Sequence, residues 1–106
     1  MSMKKYKITW SPKAHNDLQN IHFYIKYYLK EKTTANNVVK KLLNSISNLS
    51  YSPEKYIKIQ YFDNKKKNIR KMLVDNYLVI YEVNNKFEQV FILHIFHCSQ
   101  NYFNLL

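Results

Sequence analysis

The sequence predicts an α+β fold of two layers, an antiparallel-dominated four-stranded sheet in the order β-α-α-β-β-β with a helical hairpin on one face. Three observations carry that expectation. Two amphipathic stretches with helical spacing lie back to back in the first half of the chain. Three runs rich in β-branched and aromatic residues follow in the second half, separated by turns of two or three residues. A short alternating segment precedes the first helix and has no partner except that sheet.

Tyr6 to Trp10 alternates apolar and polar residues, as a half-buried strand does. Ser11-Pro12 reads as an N-cap followed by proline at the first helical position. Ala14, Leu18, Ile21, Ile25, Tyr28 and Leu29 then recur at helical spacing, while Lys13, Asn16, Asp17, Gln19 and Lys26 fall largely elsewhere, which predicts a helix over 12–31. Thr33 or Thr34 is the expected cap of a second helix, whose stripe is Ala35, Val38, Val39, Leu42, Leu43, Ile46 and Leu49. Pro53 ends it, because proline biases its predecessor away from helix. Residues 54–68 are polar and lysine-rich, a loop with room for a short strand near Ile57–Tyr61. Ile69–Val74, Tyr77–Val83 and Phe87–Phe96 read as strands of a meander. The chain has no glycine, so positive φ is expected at Asn or Asp, and Asp75-Asn76 and Asn84-Asn85 sit at the expected turns. Ser99 to Leu106 is a tail, with no internal repeat or second domain anywhere in the 106 residues.

Composition bounds the function classes. A length of 106 residues suits one domain with one core. No apolar run approaches the roughly 18 residues of a membrane span. The opening Met1–Tyr6 lacks the apolar stretch of a secretory signal. One cysteine, Cys98, excludes an internal disulfide, and no Cys/His spacing fits zinc. The expectation is a cytoplasmic protein with no membrane partner, no metal and no cofactor. Seventeen Lys+Arg against seven Asp+Glu give a net charge of +10, which calls for a compensating partner: nucleic acid, a nucleoprotein machine or an acidic protein. Arg70 is the only arginine.

Several segments together resemble a known family. Trp10-Ser11-Pro12-Lys13-Ala14, then Asp17-Leu18, Ile21 and Tyr24-Ile25, resembles the opening helix of RelE/ParE toxins. Leu49 followed by Pro53 resembles the end of that family's second helix. The segment from Ile69-Arg70 through Asn76-Tyr77-Leu78-Val79-Ile80-Tyr81 to Val83 resembles the paired strands, an arginine followed by an apolar alternation and two tyrosines four apart. Ile92 to His97 with Gln100-Asn101-Tyr102 resembles the last strand and its tail. The resemblance covers Tyr6 to Leu106 and implies the toxin of a type II toxin–antitoxin pair, with a cognate antitoxin as partner and operator DNA contacted only through that antitoxin. It implies one of two targets: DNA gyrase for ParE-like members, or the ribosome and its messenger RNA for RelE-like endonucleases.

Messenger RNA cleavage needs a base for the 2′-hydroxyl, cations for the phosphate and an acid for the leaving oxygen. If the chain is a nuclease, Arg70 is the candidate phosphate clamp, since guanidinium pairs bidentately with phosphate. Its structural alternative is a strand arginine paired with Glu82 or Asp75. His97 is the candidate acid or base, against a histidine that bonds only to backbone. Lys55, Lys58 and Lys71 are the candidate surrounding cations, and Tyr102 is a candidate stacking residue for target or nucleic acid. Tyr77 and Tyr81 are expected to pack within the sheet, His15 and His22 to lie at the surface or rim, and Lys65-Lys66-Lys67 to be a solvated loop. Where many RelE-like enzymes place an arginine directly after the first tyrosine, this chain has Leu78, and near the last strand it has Phe96, Cys98 and Ser99. Those departures and the long hairpin tilt the expectation toward gyrase inhibition, with RelE-like cleavage as the alternative. A non-toxic module that only binds its antitoxin is the second alternative.

Overall fold

A computed structural model describes residues 5–59 and 67–99. The elements are β1 (Lys7–Trp10), α1 (Pro12–Phe23), a π-helical turn (Tyr24–Tyr28), α2 (Lys32–Ser47), a 3₁₀ turn (Asn48–Ser50), β2 (Ile69–Val74), β3 (Tyr77–Asn84) and β4 (Gln89–His97). The sheet runs β1-β4-β3-β2. β2, β3 and β4 form the antiparallel meander, and β1 adds beside β4 in parallel, with Lys7 opposite Gln89 and Trp10 opposite Ile92. A parallel neighbour requires a long connection, and the whole helical hairpin and meander supply it.

The helices cover one face. Ala14, Leu42, Ile46 and Leu49 pack there with Met72, Val74, Val79, Tyr81, Val83, Val90, Ile92 and Ile95. Ile59, Ile69, Ile80 and Phe96 form a smaller cluster, and strand alternation puts Ile80 on the opposite face from Val79 and Tyr81. In β4 the alternation breaks: Ile80 pairs with His94 while Tyr81 pairs with Ile92, so Leu93 is a bulged residue. The extra residue shifts the phase, which is how Ile92 and Ile95, three apart, both reach the helix face.

Local details depart from the sequence reading at specific residues. Ser11 caps α1 as expected, its hydroxyl accepting from the Ala14 N–H at 2.9 Å. The first helix does not continue as α-helix to residue 31; after Phe23 it widens into the π-turn, with the Leu29 N–H reaching the Tyr24 carbonyl. Tyr28 and Leu29 therefore leave the apolar stripe and are exposed, at 76% and 51%. The second helix is not capped by Thr33 or Thr34; Glu31 takes the cap position without a side-chain bond. Positive φ occurs at Asp75, as expected, but also at Lys30 and Glu88, and not at Asn84 or Asn85. Asn84 instead stabilises the last turn through its side chain, which accepts from the Phe87 N–H at 3.0 Å. That turn displaces the start of the fourth strand from Phe87 to Gln89.

Candidate functional site

The loop after α2 is tied to the sheet by two side chains. Tyr81, fully buried, donates its hydroxyl to the Pro53 carbonyl at 2.6 Å, and burial pushes its phenol pKa well up despite nearby Arg70. Arg70 holds the next residues. Its Nε donates to Asn68 Oδ1 at 2.9 Å, one terminal nitrogen to the carbonyls of Glu54 and Tyr56 at 3.1 and 2.7 Å, and the other to the Glu54 carboxylate at 3.1 Å. The guanidinium side chain is 14% exposed. Four of its five N–H directions are thus directed at protein acceptors. Its acidic partner is Glu54 rather than Glu82 or Asp75; Asp75 pairs with Lys41. Beyond the loop, Ile57–Ile59 adds to the outer edge of β2, with Lys58 bridging Arg70 and Ile59 N–H donating to Ile69 carbonyl.

His97 ends β4 opposite Tyr77, and the two rings meet edge to face at 5.4 Å. Its Nδ1 accepts the Ser99 N–H at 3.2 Å and lies 2.7 Å from the Ser99 hydroxyl. An acceptor Nδ1 places the proton of neutral His97 on Nε2. Arg70 pairs with Tyr81 and His97 with Tyr77. At about 3.3 Å per residue those positions lie roughly 13 Å apart along the strand.

The candidate cations are divided as well. Lys55 and Lys71 line a hollow of about 400 Å³ with Tyr56, Ile57, Leu73 and Leu78. Alternation puts Lys71 on the face opposite Arg70, and Lys58 pairs with Arg70. Leu73 and Leu78 are directly paired, so the position where nucleases of the resembled family carry an arginine is half of an apolar pair, with Leu73 63% exposed. Tyr102, Lys65 and Lys66 lie outside the described residues.

A second concavity, about 650 Å³, opens between α1 and the ends of β3 and β4, lined by Lys13, Asn20, Tyr24, Tyr77, His97 and Ser99 over a floor of Asp17, Ile21 and Ile95. Asp17 is the residue that the sequence reading misplaced. It is 7% exposed, accepts the Ile95 N–H at 3.0 Å and pairs with Lys13. The signal was present, since Asp17 stands three after Ala14 and four before Ile21, on the apolar stripe itself. His94 lies nearby, its Nδ1 4.0 Å from Asp17 and without a hydrogen-bond partner among the described residues. Burial lowers its pKa, against the opposing pull of Asp17. Among the described residues no group of three or more His, Cys, Asp or Glu could hold a metal ion, and no helix is long and apolar enough to cross a membrane.

A helical hairpin on one face of a β1-β4-β3-β2 sheet is the architecture of the RelE/ParE toxin superfamily. The sequence model for the ParE toxin of the parDE type II toxin–antitoxin system matches residues 8–102, and the chain belongs to that family. Three solved structures share the fold. A structure described as a chromosomal ParDE system from P. aeruginosa aligns with TM-score 0.69 and 16% identity over 89% of this chain and 97% of that one. The archaeal RelE–RelB complex from Pyrococcus horikoshii aligns with TM-score 0.65 and 21% identity over 91% and 98%. The RelBE2 toxin–antitoxin complex from Mycobacterium tuberculosis aligns with TM-score 0.61 and 17% identity over 93% and 98%. No curated protein sequence matches.

Proposed function

We propose that this type II toxin acts in the cytoplasm as a ParE-like inhibitor of DNA gyrase and is held inactive by a cognate antitoxin. The observation that carries the reading is the pairing of Leu73 with Leu78 on the face away from the helices, beside Lys55 and Lys71. An apolar pair with Leu73 exposed and Leu78 half-buried, rimmed by ammonium groups, suits a protein surface better than a scissile phosphate, which needs cations converging on one point. The dispersal of the candidate catalytic groups supports it: Arg70 is occupied by the 54–56 loop, and His97 is at the other end of β3. The antitoxin is acidic or amphipathic, matching a chain of net charge +10, and two of the structural neighbours, the ParDE system and the RelBE2 complex, are toxin–antitoxin assemblies.

The test is a supercoiling assay with purified gyrase, beside primer extension on messenger RNA in a purified translation reaction. The reading expects supercoiling to fall with added toxin and the message to stay intact. Ribosome-dependent cleavage that disappears in His97→Ala would replace it with the endonuclease reading. That second reading draws on one observation, an exposed His97 whose tautomer is set by Ser99. Growth unimpaired by induced toxin without antitoxin would leave only the binding-module reading.

A further inference from the structure

The cleft between α1 and the ends of β3 and β4 has no part in the gyrase reading, yet its walls are unusually well defined. Tyr24 stacks on Tyr28 at 5.3 Å and 19°, so its ring is backed on one side. Tyr77 and His97 form the facing corner, edge to face. Burial first, and then Tyr24, raises the pKa of Tyr77, which keeps its phenol a neutral donor. Asn20 lines the same space, and among the described residues its side-chain amide has no hydrogen-bond partner. The floor is fixed, because the Asp17 carboxylate is held by Ile95 N–H and by Lys13.

Three kinds of occupant fit poorly. A lone anion gains little, since the lining ammonium of Lys13 is already neutralised by Asp17. A purely apolar side chain would leave the Asn20 amide and the phenols facing hydrocarbon, which costs free energy for every group left unpaired. A metal ion lacks ligands among the described residues. A planar heterocycle with donors and acceptors on its rim meets both demands. Its faces stack on tyrosine and histidine rings, and its edge takes the paired donor and acceptor of a carboxamide. A concavity of about 650 Å³ admits such a ring with its sugar, and the net charge of +10 draws a phosphate-bearing ligand toward the surface.

We propose that this cleft binds a nucleobase, stacked between Tyr24 and the Tyr77–His97 corner and read by Asn20. The base arrives either as a free nucleotide or as one unit of a single strand. This site stands whether or not gyrase is the target, because it lies on the helix side of the sheet, away from Leu73 and Leu78.

The test titrates AMP, UMP, ribose 5-phosphate and a short single-stranded oligonucleotide into the full chain, followed by amide chemical shifts and calorimetry. Asn20→Ala and Tyr24→Leu are the variants; both positions are exposed, so the fold is expected to survive. A nucleotide should bind saturably and shift the amides of Asn20, Tyr24, Tyr77 and Ser99. Each variant should weaken it about tenfold, the scale of one lost base–aromatic stack, and ribose 5-phosphate should not shift these amides. Binding of mononucleotides identifies the free ligand as the source, and binding of the oligonucleotide alone, with the same variant effect, identifies the strand. Equal binding of ribose 5-phosphate, affinity unchanged in both variants, or no shifts at the cleft would each overturn the proposal.

Discussion

Replacing Arg70 separates a clamp for phosphate from a clamp for the chain itself. The guanidinium bonds Asn68, the carbonyls of Glu54 and Tyr56, and the Glu54 carboxylate. The bonds to Asn68 and Tyr56 are partly buried and are each worth about 1 kcal/mol net. The Glu54 pair is half in solvent and adds at most about 1 kcal/mol. Arg70→Ala should therefore cost about 3 kcal/mol, a fall in melting temperature of roughly 12–24 °C for a domain of this size. Arg70→Lys keeps the charge but cannot fork to four acceptors, and should retain at most about a third of that energy, the share of one bond in three. Urea unfolding of the three proteins measures this directly, with growth inhibition scored in parallel. A loss below about 1 kcal/mol in Arg70→Ala, together with abolished toxicity, would refute the structural assignment and return the guanidinium to the target.

Four further outcomes follow from other contacts. Asp17→Ala removes the acceptor of a buried N–H and should destabilise by about 2–4 kcal/mol, whereas Asp17→Asn, which keeps a carbonyl for Ile95, should cost about 1 kcal/mol; equal losses would mean that the charge matters rather than the strand edge. Tyr81→Phe strands the Pro53 carbonyl and should cost about 1–2 kcal/mol in urea unfolding, and a neutral result would mean water replaces the hydroxyl. His94 has a folded pKa below its unfolded value, so its contribution is fully present above pH 6.5 and is lost as pH falls through the lower folded value. The slope of stability between pH 7 and 5 should flatten in His94→Phe, and an unchanged slope would assign it to other groups. Lys30 holds φ 55°, where a Cβ is strained, so Lys30→Gly should raise the unfolding free energy by about 0.5–1 kcal/mol; a loss would show that the side chain contributes more than the strain.

Periodicity made the elements legible, because each helix stripe and each strand alternation is written within its own residues. It could not register what two elements do to each other. The π-turn cannot be read from Tyr24–Tyr28, which continues the helical spacing. Glu54 takes Arg70 from an unpatterned loop sixteen residues earlier, and no local rule pairs them. The bulge at Leu93 reverses the phase of β4, so a strict alternation puts Ile95 on the wrong face. His97 and Tyr77 were both singled out in the sequence, but their meeting needs the register of β3 on β4, and the α1 wall of the cleft needs the packing of the helix.

That packing has one local cause. β1 pairs with β4 only as far as Trp10–Ile92, because Ser11-Pro12 starts a helix at once. β4 continues to His97, so among the described residues its outer edge beyond Ile92 has no strand beside it, and exposed backbone groups there need other partners. The helix supplies them. Ser11 gives its N–H to the Ile92 carbonyl and its hydroxyl to the Leu93 carbonyl while still capping α1. Asp17, a turn and a half further on, takes the Ile95 N–H. α1 must therefore lie across the strand edge, and where it passes the last residues of β4 the two elements part around Tyr24 and His97. A single early helix start thus produces the cap, the covered edge and the cleft together. Lengthening β1 at the expense of Ser11-Pro12 would pair the edge and remove the reason for a buried Asp17.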